Sequence, residues 1–212
     1  MEPFIKSYQF NFIRVQTRNL VSGYSTVNDT DVLDALKYSS QDKVLSIFPN
    51  ITEEQRALLN EILAVEEEMQ ADMFLAKLKP YVIPFKEVTD KTLKKLFPKV
   101  KKLKAPNFDD IDFKELSYFG WNDKGSDKKF MIADFDGKLI GIQGTFTPSN
   151  KKGICALCNR HEEVGMFLAE VKGSEQGTFI KRGNYICQDS QKCNHNLTTL
   201  DKLHGFIALL RK

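Results

Sequence analysis

The sequence predicts an α+β protein, with an N-terminal helical bundle over residues 1–83 followed by an α/β domain over residues 84–212. Apolar residues recur at helical spacing before residue 80, and strand-like segments flank an Asp-Gly pair after residue 105. All four cysteines lie within residues 155–193, so the second domain is expected to contain one thiol-rich site. At 212 residues the chain is long enough to bury two cores.

The N-terminal segment is predicted to begin with three successive helices. Mixed helical spacing of aromatic and aliphatic residues indicates the first from about residue 4 to residue 23, where Gly23 ends it. Residues 28–30, Asn-Asp-Thr, offer caps for a short second helix, and residues 39–40, Ser-Ser, offer caps for a third. Short connections between such helices imply an antiparallel bundle.

A capping box then marks the start of a longer helix. The Thr52 oxygen can accept from the amide three residues on, while the Gln55 side chain reaches back to the cap. An apolar stripe continues to about Leu78, before the helix-stopping Pro80 and Pro84. We interpret this stripe as core rather than as a cofactor site. Its members are Leu58, Leu59, Ile62, Val65, Met69, Met73 and Leu75.

The segment from residue 81 to residue 104 is predicted to join the two domains. A helix begins at Thr89 or Asp90 and must end or kink at Pro98. Residues 91–104 contain seven lysines and no acid. Apolar residues interleave the lysines, so we expect one face packed in the joint and the ammonium groups in solvent on the other. These apolar residues are Leu93, Leu96, Phe97, Val100 and Leu103.

Two hairpins and a final helix are predicted in the second domain. Residues 129–135 and 138–142 flank Asp136-Gly137, a dipeptide typical of the type I′ turn. Residues 145–153 are expected to form a loop. A second hairpin is predicted from segments 164–171 and 177–186, around a turn at 173–177. The stripe of Leu200, Leu203, Ile207 and Leu210 indicates a final helix, capped by Thr198 or Thr199.

The cysteines form two pairs with spacing typical of a metal site. Cys155 and Cys158 form a CxxC turn, and Cys187 and Cys193 follow after 28 intervening residues. Four sulfurs are what a closed tetrahedral zinc site requires. The predicted order is the CxxC turn, then a hairpin, then a second cysteine pair that enters a helix. This order is the plan of a treble-clef zinc finger. The five residues within the second pair are more than usual, so its turn must be looped. Such zinc is structural, and it holds a surface in place rather than doing chemistry.

Two other interpretations of the cysteines remain open, a redox pair and unligated buried thiols. A redox CxxC usually opens a helix in a βαβ unit, a pattern that this sequence lacks. Iron–sulfur clusters also take four thiolates, but these spacings match no ferredoxin run. We expect a cytosolic protein because the sequence has neither a secretory signal nor an apolar run long enough for a membrane span. A reducing cytosol disfavours persistent disulfides.

No catalytic site is predicted. The histidines, His161, His195 and His204, are not expected to bind the metal because four cysteines already fill the site. The sequence contains no HExxH, no P-loop, no dinucleotide fingerprint and no nucleophile elbow. We therefore expect a protein that is not an enzyme.

A candidate partner-binding surface surrounds the finger. Lys181, Arg182, Tyr185 and Phe206 are of the basic and aromatic types enriched in interfaces. The alternative, that both aromatic residues are core and the charged pair is a solvated turn, is equally open. Residues 151–212 contain ten Lys and Arg against six Asp and Glu, which favours an acidic partner.

Ribosomal RNA is the alternative partner. Zinc fingers and lysine runs both occur in RNA-binding proteins, and residues 91–104 offer enough positive charge to neutralise several phosphates. Direct contact with nucleic acid is left open by the sequence.

The sequence resembles the FusB-type fusidic acid resistance proteins over nearly its whole length. The zinc region carries the resemblance through CALCN at 155–159, KRGNYICQDS at 181–190 and CN at 193–194. Similar motifs precede it in the same order: QFNFIR at 9–14, TVND at 26–29, VIPF at 82–85, KVKKLK at 99–104 and FGWN at 119–122.

The resemblance implies a helical bundle followed by an α/β domain with a four-cysteine zinc finger. It further implies that the protein binds translation elongation factor G through the zinc-containing domain. Such binding would help the factor to leave the ribosome, including when fusidic acid has trapped it there. We expect such a protein to act as a monomer.

Overall fold

The computed structural model describes residues 1–100, 103–173, 175 and 177–211. The chain divides into two compact units, Met1–Ile83 and Pro84–Lys212. Within the described ranges, no helix combines the length and the apolar character that a membrane crossing needs.

The first unit is helical. It contains α1 (Ser7–Thr26), α2 (Thr30–Ser46), α3 (Glu53–Asn60) and α4 (Glu68–Leu78), with 3₁₀ turns at Glu61–Ala64 and Lys79–Tyr81. An isolated parallel bridge joins Ile5 to Val82, which ties the two ends of the unit together. The predicted helical bundle is confirmed. Its core includes Ile5, Ile13, Leu20, Val44, Leu59, Ile62, Leu78 and Val82.

The boundaries predicted for the first three helices were wrong. α1 continues past Gly23 to Thr26, and a Cβ atom at Gly23 would collide with the Leu36 side chain of α2. Gly23 is therefore a point of close approach between helices rather than a helix end. The predicted second and third helices are one helix, α2, capped by the Asp29 carboxylate. Ser40 starts no helix because it is buried within α2.

The capping box at Thr52 is confirmed. Its hydroxyl accepts from the Gln55 amide at 3.2 Å, and its own amide donates to the Gln55 side chain at 3.0 Å. The long helix predicted behind it is instead broken between α3 and α4. The break resets the helical phase, so Met69 and Met73 are 64% and 66% exposed, and the expectation that they are core was wrong. α4 buries Ala71, Phe74 and Leu78 in their place.

The second unit is built on an antiparallel sheet of five strands. They are β1 (Tyr118–Asn122), β2 (Lys128–Phe135), β3 (Lys138–Ile154), β4 (His161–Lys172) and β5 (Phe179–Cys187), paired in sequence order. The helices of this unit within the described residues are α5 (Asp90–Leu96), α6 (Ser190–Asn196) and α7 (Asp201–Arg211). Short 3₁₀ turns lie at Phe108–Asp110 and Phe113–Glu115.

Both predicted hairpins are present. Asp136 and Gly137 have φ angles of 52° and 77°, as a type I′ turn requires. The second hairpin joins β4 to β5, although Ser174 and Gln176 of its predicted turn lie outside the described residues. β1 was not predicted as a strand.

The loop predicted at 145–153 was wrong because β3 runs through it to Ile154. Pro148 pairs with Gly165 and Lys152 pairs with Glu163, so β3 advances four residues while β4 advances two. This bulge accommodates Pro148, which has no amide proton to give to a regular ladder.

The two faces of the sheet bury different cores. One face packs its Tyr118, Met131 and Phe167 side chains with the apolar stripe of α7. On the other face, Leu93 and Phe97 pack with three aromatic or aliphatic residues of β1 and β2, namely Trp121, Phe130 and Ile132. The Phe97 ring meets the Phe130 ring edge-on, with centroids 5.2 Å apart.

The lysine run has one packed and one solvated face. Thr89 caps α5 as predicted, accepting from the Thr92 amide, and α5 ends at Leu96, before Pro98. Leu96, Val100 and Leu103 are half-buried against the same core as Phe97. Lys91, Lys94, Lys95 and Lys99 are exposed, whereas Lys101 and Lys102 lie outside the described residues.

Candidate metal centre and partner surface

The structure brings the four cysteine sulfurs together. All four lie within 4.8 Å of one another. Two separations are 3.8 Å, between Cys155 and Cys193, and 3.7 Å, between Cys158 and Cys187. Sulfurs placed about 2.3 Å from a central zinc ion at tetrahedral angles are about 3.8 Å apart. The donor set and its spacing therefore fit a tetrahedral metal ion.

Three pieces of secondary structure position the sulfurs. The turn after β3 carries Cys155 and Cys158, and it is closed by a hydrogen bond from the Asn159 amide to the Cys155 carbonyl at 2.9 Å. Asn159 adopts a φ of 56°, a left-handed conformation that asparagine tolerates. Cys187 ends β5 and Cys193 lies in α6, which Asp189 caps. The order of turn, hairpin and helix is the predicted treble-clef arrangement.

Backbone amides already point at one of the sulfurs. The Leu157 and Cys187 amides donate to the Cys155 sulfur at 3.4 Å and 3.3 Å. Hydrogen bonds from the other three cysteines hold the pKa of Cys155 below its usual value. Hydrogen bonds with the sulfurs of the other three cysteines, together with burial, raise the pKa of Cys193. Four buried thiolates at such distances repel one another, so all four ionise together only around a cation.

A buried asparagine fixes α6 to the sheet beside the metal centre. The Asn194 Oδ1 atom accepts from the Ser117 and Tyr118 amides at 2.7 Å and 3.0 Å. Its Nδ2 atom donates to the Tyr118 and Ser190 carbonyls, both at 2.9 Å. The position of Cys193 is therefore set by β1 as well as by its own helix.

Two of the predicted partner-binding residues lie on an exposed face of β5. Lys181 and Tyr185 are four residues apart on the strand, so their side chains point to the same side. Lys181 is exposed and Tyr185 is 44% exposed, so Tyr185 is not core. The Tyr185 carbonyl accepts from the Ala156 amide, within the CxxC turn, at 2.8 Å. The metal-binding turn thus fixes the backbone that carries Tyr185.

The other two predicted residues do not belong to this face. Arg182 points to the opposite side of β5, where its Nη1 atom donates to the Leu209 carbonyl at 3.1 Å. Phe206 is 5% exposed and packs against Phe167, with ring centroids 5.9 Å apart. The prediction of Phe206 as a contact residue is therefore corrected, because its place in the stripe of α7 makes it core.

Sequence reasoning missed three apolar residues on the same face as Tyr185. Phe179 is 67% exposed and lies two residues before Lys181 on β5, so the two side chains point to the same side of the strand. Met166 lies directly opposite Tyr185 on β4, and Leu168 is the next residue on that side. Strand alternation from Tyr185 would have found Phe179. We call Phe179, Lys181, Tyr185, Met166 and Leu168 the β5 surface.

The histidines take no part in the metal cluster found among the described residues, which consists of cysteines alone. His161 and His195 are exposed. His204 is half-buried, and its ring packs edge-on against Phe135 with centroids 5.5 Å apart.

Comparison with known proteins identifies both units. Residues 4–86 match the family described as elongation factor G-binding protein, N-terminal, and residues 97–206 match the FBP C-terminal treble-clef zinc-finger. A solved structure, that of the fusidic acid resistance protein FusC, is 33% identical in sequence with a TM-score of 0.86. The match covers 99% of this chain and 98% of that one. No curated protein matches the chain significantly.

Both matches follow the order of the two units, and together they extend over most of the chain. The cysteine cluster lies within the second match. The chain belongs to the family of elongation factor G-binding proteins that carry a C-terminal treble-clef zinc finger.

Proposed function

We propose that this protein binds elongation factor G through the β5 surface, and that binding promotes release of the factor from the ribosome. Resistance to fusidic acid, the property named for FusC, would follow from this release. The observation that carries the proposal is the exposed Tyr185, whose carbonyl is held by the Ala156 amide of the metal-binding turn. This link explains why a binding protein would need a metal ion.

The ion in this proposal is zinc, with a structural role. Four thiolates are a soft donor set that suits zinc, and they leave no open position for water or substrate. The protein then needs no chemistry of its own. It acts as a monomeric, stoichiometric ligand in the cytoplasm, where it binds the free factor more tightly than the ribosome-bound factor and so shifts the equilibrium toward release.

The β5 surface combines the two kinds of contact that an interface needs. Tyr185, Phe179 and Met166 supply apolar area that is partly exposed. Lys181 supplies a positive charge that steers an acidic partner, a contribution that salt screens. Aromatic residues at the centre of an interface commonly dominate its binding energy.

Titration calorimetry with purified elongation factor G tests this surface. Tyr185→Ala is expected to weaken binding roughly 30-fold, about 2 kcal/mol, because the ring is lost at an interface centre. The matched control is Tyr38→Ala, since Tyr38 is a tyrosine of the first unit that is 58% exposed. Lys181→Glu is expected to weaken binding more at low salt than at high salt. Unchanged affinity in both β5 variants would remove this surface from the mechanism.

Release from the ribosome needs its own assay. Ribosomes stalled with elongation factor G and fusidic acid are mixed with protein, and the released factor is measured. Wild type and Tyr38→Ala should release the factor, while the double variant at Lys181 and Tyr185 should not. Equal release by the double variant would contradict the proposal.

The RNA alternative is tested in the same preparations. An RNA-binding protein would prefer a ribosomal RNA fragment over the isolated factor, with an affinity that falls steeply as salt rises. In that case the first residues to mutate would be the exposed lysines of α5, which are Lys91, Lys94 and Lys95.

A further inference from the structure

A lysine is fully buried beside the metal centre. Lys129 of β2 has an exposed fraction of 0%, the only charged residue among the largest fully buried side chains of the described chain. Its Nζ atom donates to the Asn122 Oδ1 atom at 3.0 Å and to the Gln188 carbonyl at 2.9 Å. It also lies 4.9 Å from the centre of the Phe146 ring. These contacts give the ammonium group hydrogen-bond acceptors, but none of the contacting groups carries a negative charge.

Burial of a cation among neutral groups is costly, so a compensating charge is expected nearby. Burial lowers the pKa of Lys129 to about 8, and negative charge on Cys193, Cys187, Asp189 and Cys155 acts in the opposite direction. Three of these four groups are the cysteines of the metal cluster. Four thiolates around one divalent ion carry a net charge of −2, so the occupied site would supply the anion that Lys129 lacks.

Two buried hydroxyl groups lie beside the same cysteines. The hydroxyl groups of Tyr118 and Ser190 are buried and have no hydrogen-bond partner within the described chain. The Tyr118 amide donates to the Oδ1 atom of Asn194, the residue after Cys193, at 3.0 Å, and the Tyr118 side chain packs in the same buried cluster as Cys193. A tyrosine hydroxyl can donate a hydrogen bond. Gly120 leaves the space for this arrangement, because a Cβ atom there would lie 2.7 Å from the Tyr118 ring and 2.8 Å from the Ser190 hydroxyl. A metal-bound thiolate is an acceptor that such a donor can use.

We propose that Lys129 and Tyr118 stabilise the occupied metal centre from the sheet: the Lys129 ammonium offsets the charge of the thiolates, and the Tyr118 hydroxyl donates to the Cys193 sulfur. This inference rests on the zinc site proposed above. Both residues lie outside the cysteine segment 155–193, in strands β2 and β1. The metal affinity of the finger therefore depends on the strands beside it.

The first test measures zinc retention against a chromophoric chelator. Lys129→Met removes the charge and keeps a similar apolar volume, whereas Lys128→Met makes the same change at the adjacent, exposed position. Lys129→Met is expected to lower zinc affinity about 10- to 100-fold, the usual effect of losing a partner that surrounds a metal site. It should also raise the pH at which zinc is lost. Lys128→Met should match wild type.

The direction of the effect separates this role from a packing role. If Lys129 only filled space, methionine would retain zinc equally well or better, because an apolar group would replace a costly buried charge. Zinc affinity of Lys129→Met equal to that of wild type would therefore overturn the inference for Lys129. Wild-type protein that binds no zinc at all would instead refute the zinc assignment itself.

The second test uses the cobalt-substituted protein and does not depend on how Lys129→Met folds. Tyr118→Phe removes a single hydroxyl, so the Cys193 thiolate loses a hydrogen bond and becomes a stronger electron donor. The sulfur-to-cobalt charge-transfer band should move to longer wavelength. A band at the wild-type wavelength in Tyr118→Phe would overturn the role assigned to the hydroxyl.

Discussion

Substitution of Asn194 by alanine should destabilise the second unit more than any other single change of a polar side chain in α6. Asn194 is 1% exposed, and its side chain makes hydrogen bonds with Ser117, with Tyr118 of β1 and with Ser190 of its own helix. Alanine leaves the Ser117 and Tyr118 amides without their acceptor. Each unsatisfied buried amide costs about 1 to 3 kcal/mol, so the expected loss for the two amides is about 2 to 6 kcal/mol.

The single tryptophan makes the measurement specific. Trp121 is the only tryptophan of the chain, it is 6% exposed, and it lies in β1 close to the amides that Asn194 binds. Its fluorescence during urea unfolding therefore reports on the second unit rather than on the helical one. The concentration of metal ions must be held constant, because a ligand of the folded state shifts the midpoint by mass action.

The matched control is Asn196→Ala in the same helix. The Asn196 side chain is half-buried and donates to the Glu162 carboxylate at 3.0 Å, so its loss should cost no more than about 1 kcal/mol. If Asn194→Ala unfolds at the same urea concentration as Asn196→Ala, the hydrogen bonds between Asn194 and β1 do not make the expected contribution to the stability of the unit.

Three further predictions concern the metal, the first hairpin and the helical unit. Cys187→Ser should lower the bound zinc below one equivalent by metal analysis and weaken binding to elongation factor G, because Tyr185 loses its fixed strand end; a zinc-free variant that binds normally would refute this link. Gly137→Ala should cost about 1 kcal/mol in urea unfolding because φ is 77° there, whereas Gly125→Ala, with no such conformation, should be nearly neutral. Phe74→Ala should destabilise the first unit by about 3 to 5 kcal/mol, followed by circular dichroism, and Met73→Ala should leave it unchanged, since only the phenylalanine is buried.

Features set by local chemistry were the ones that the sequence predicted well. The capping box at Thr52, the turn at Asp136-Gly137 and the cysteine pairs each depend on residues close together in the chain or on a fixed ligand number. Strand alternation in β5 also places Phe179 on the same side as Tyr185, although the predicted partner surface did not include Phe179. The site was therefore predictable as a metal centre and only partly as a surface.

The incorrect predictions concern features that are determined by tertiary contacts rather than by local sequence. A periodic stripe continued through Met69 and Met73, but a break in the helix shifted the buried face to Phe74, and no local residue type marks that break. Residues 145–153 were expected to form a loop, yet β3 continues through them by pairing with β4, with a bulge after Pro148. Phe206 is of an aromatic type that is enriched in interfaces, and only its contact with Phe167 shows that it belongs to the core.

The neighbour-to-neighbour order of the sheet bears on how the chain folds during synthesis. Because each strand pairs with the one just before it, the sheet can grow by successive hairpin closures that need little loop entropy and should be fast. The metal site does not share this property. Cys155 can share a metal ion with Cys193 only after the ribosome has added the 38 residues that separate Cys193 from Cys155. A nascent chain would then hold a nearly complete sheet before its last ligand leaves the ribosome. Binding of the metal ion would be the step that commits α6, and with it the end of β5, to the native position.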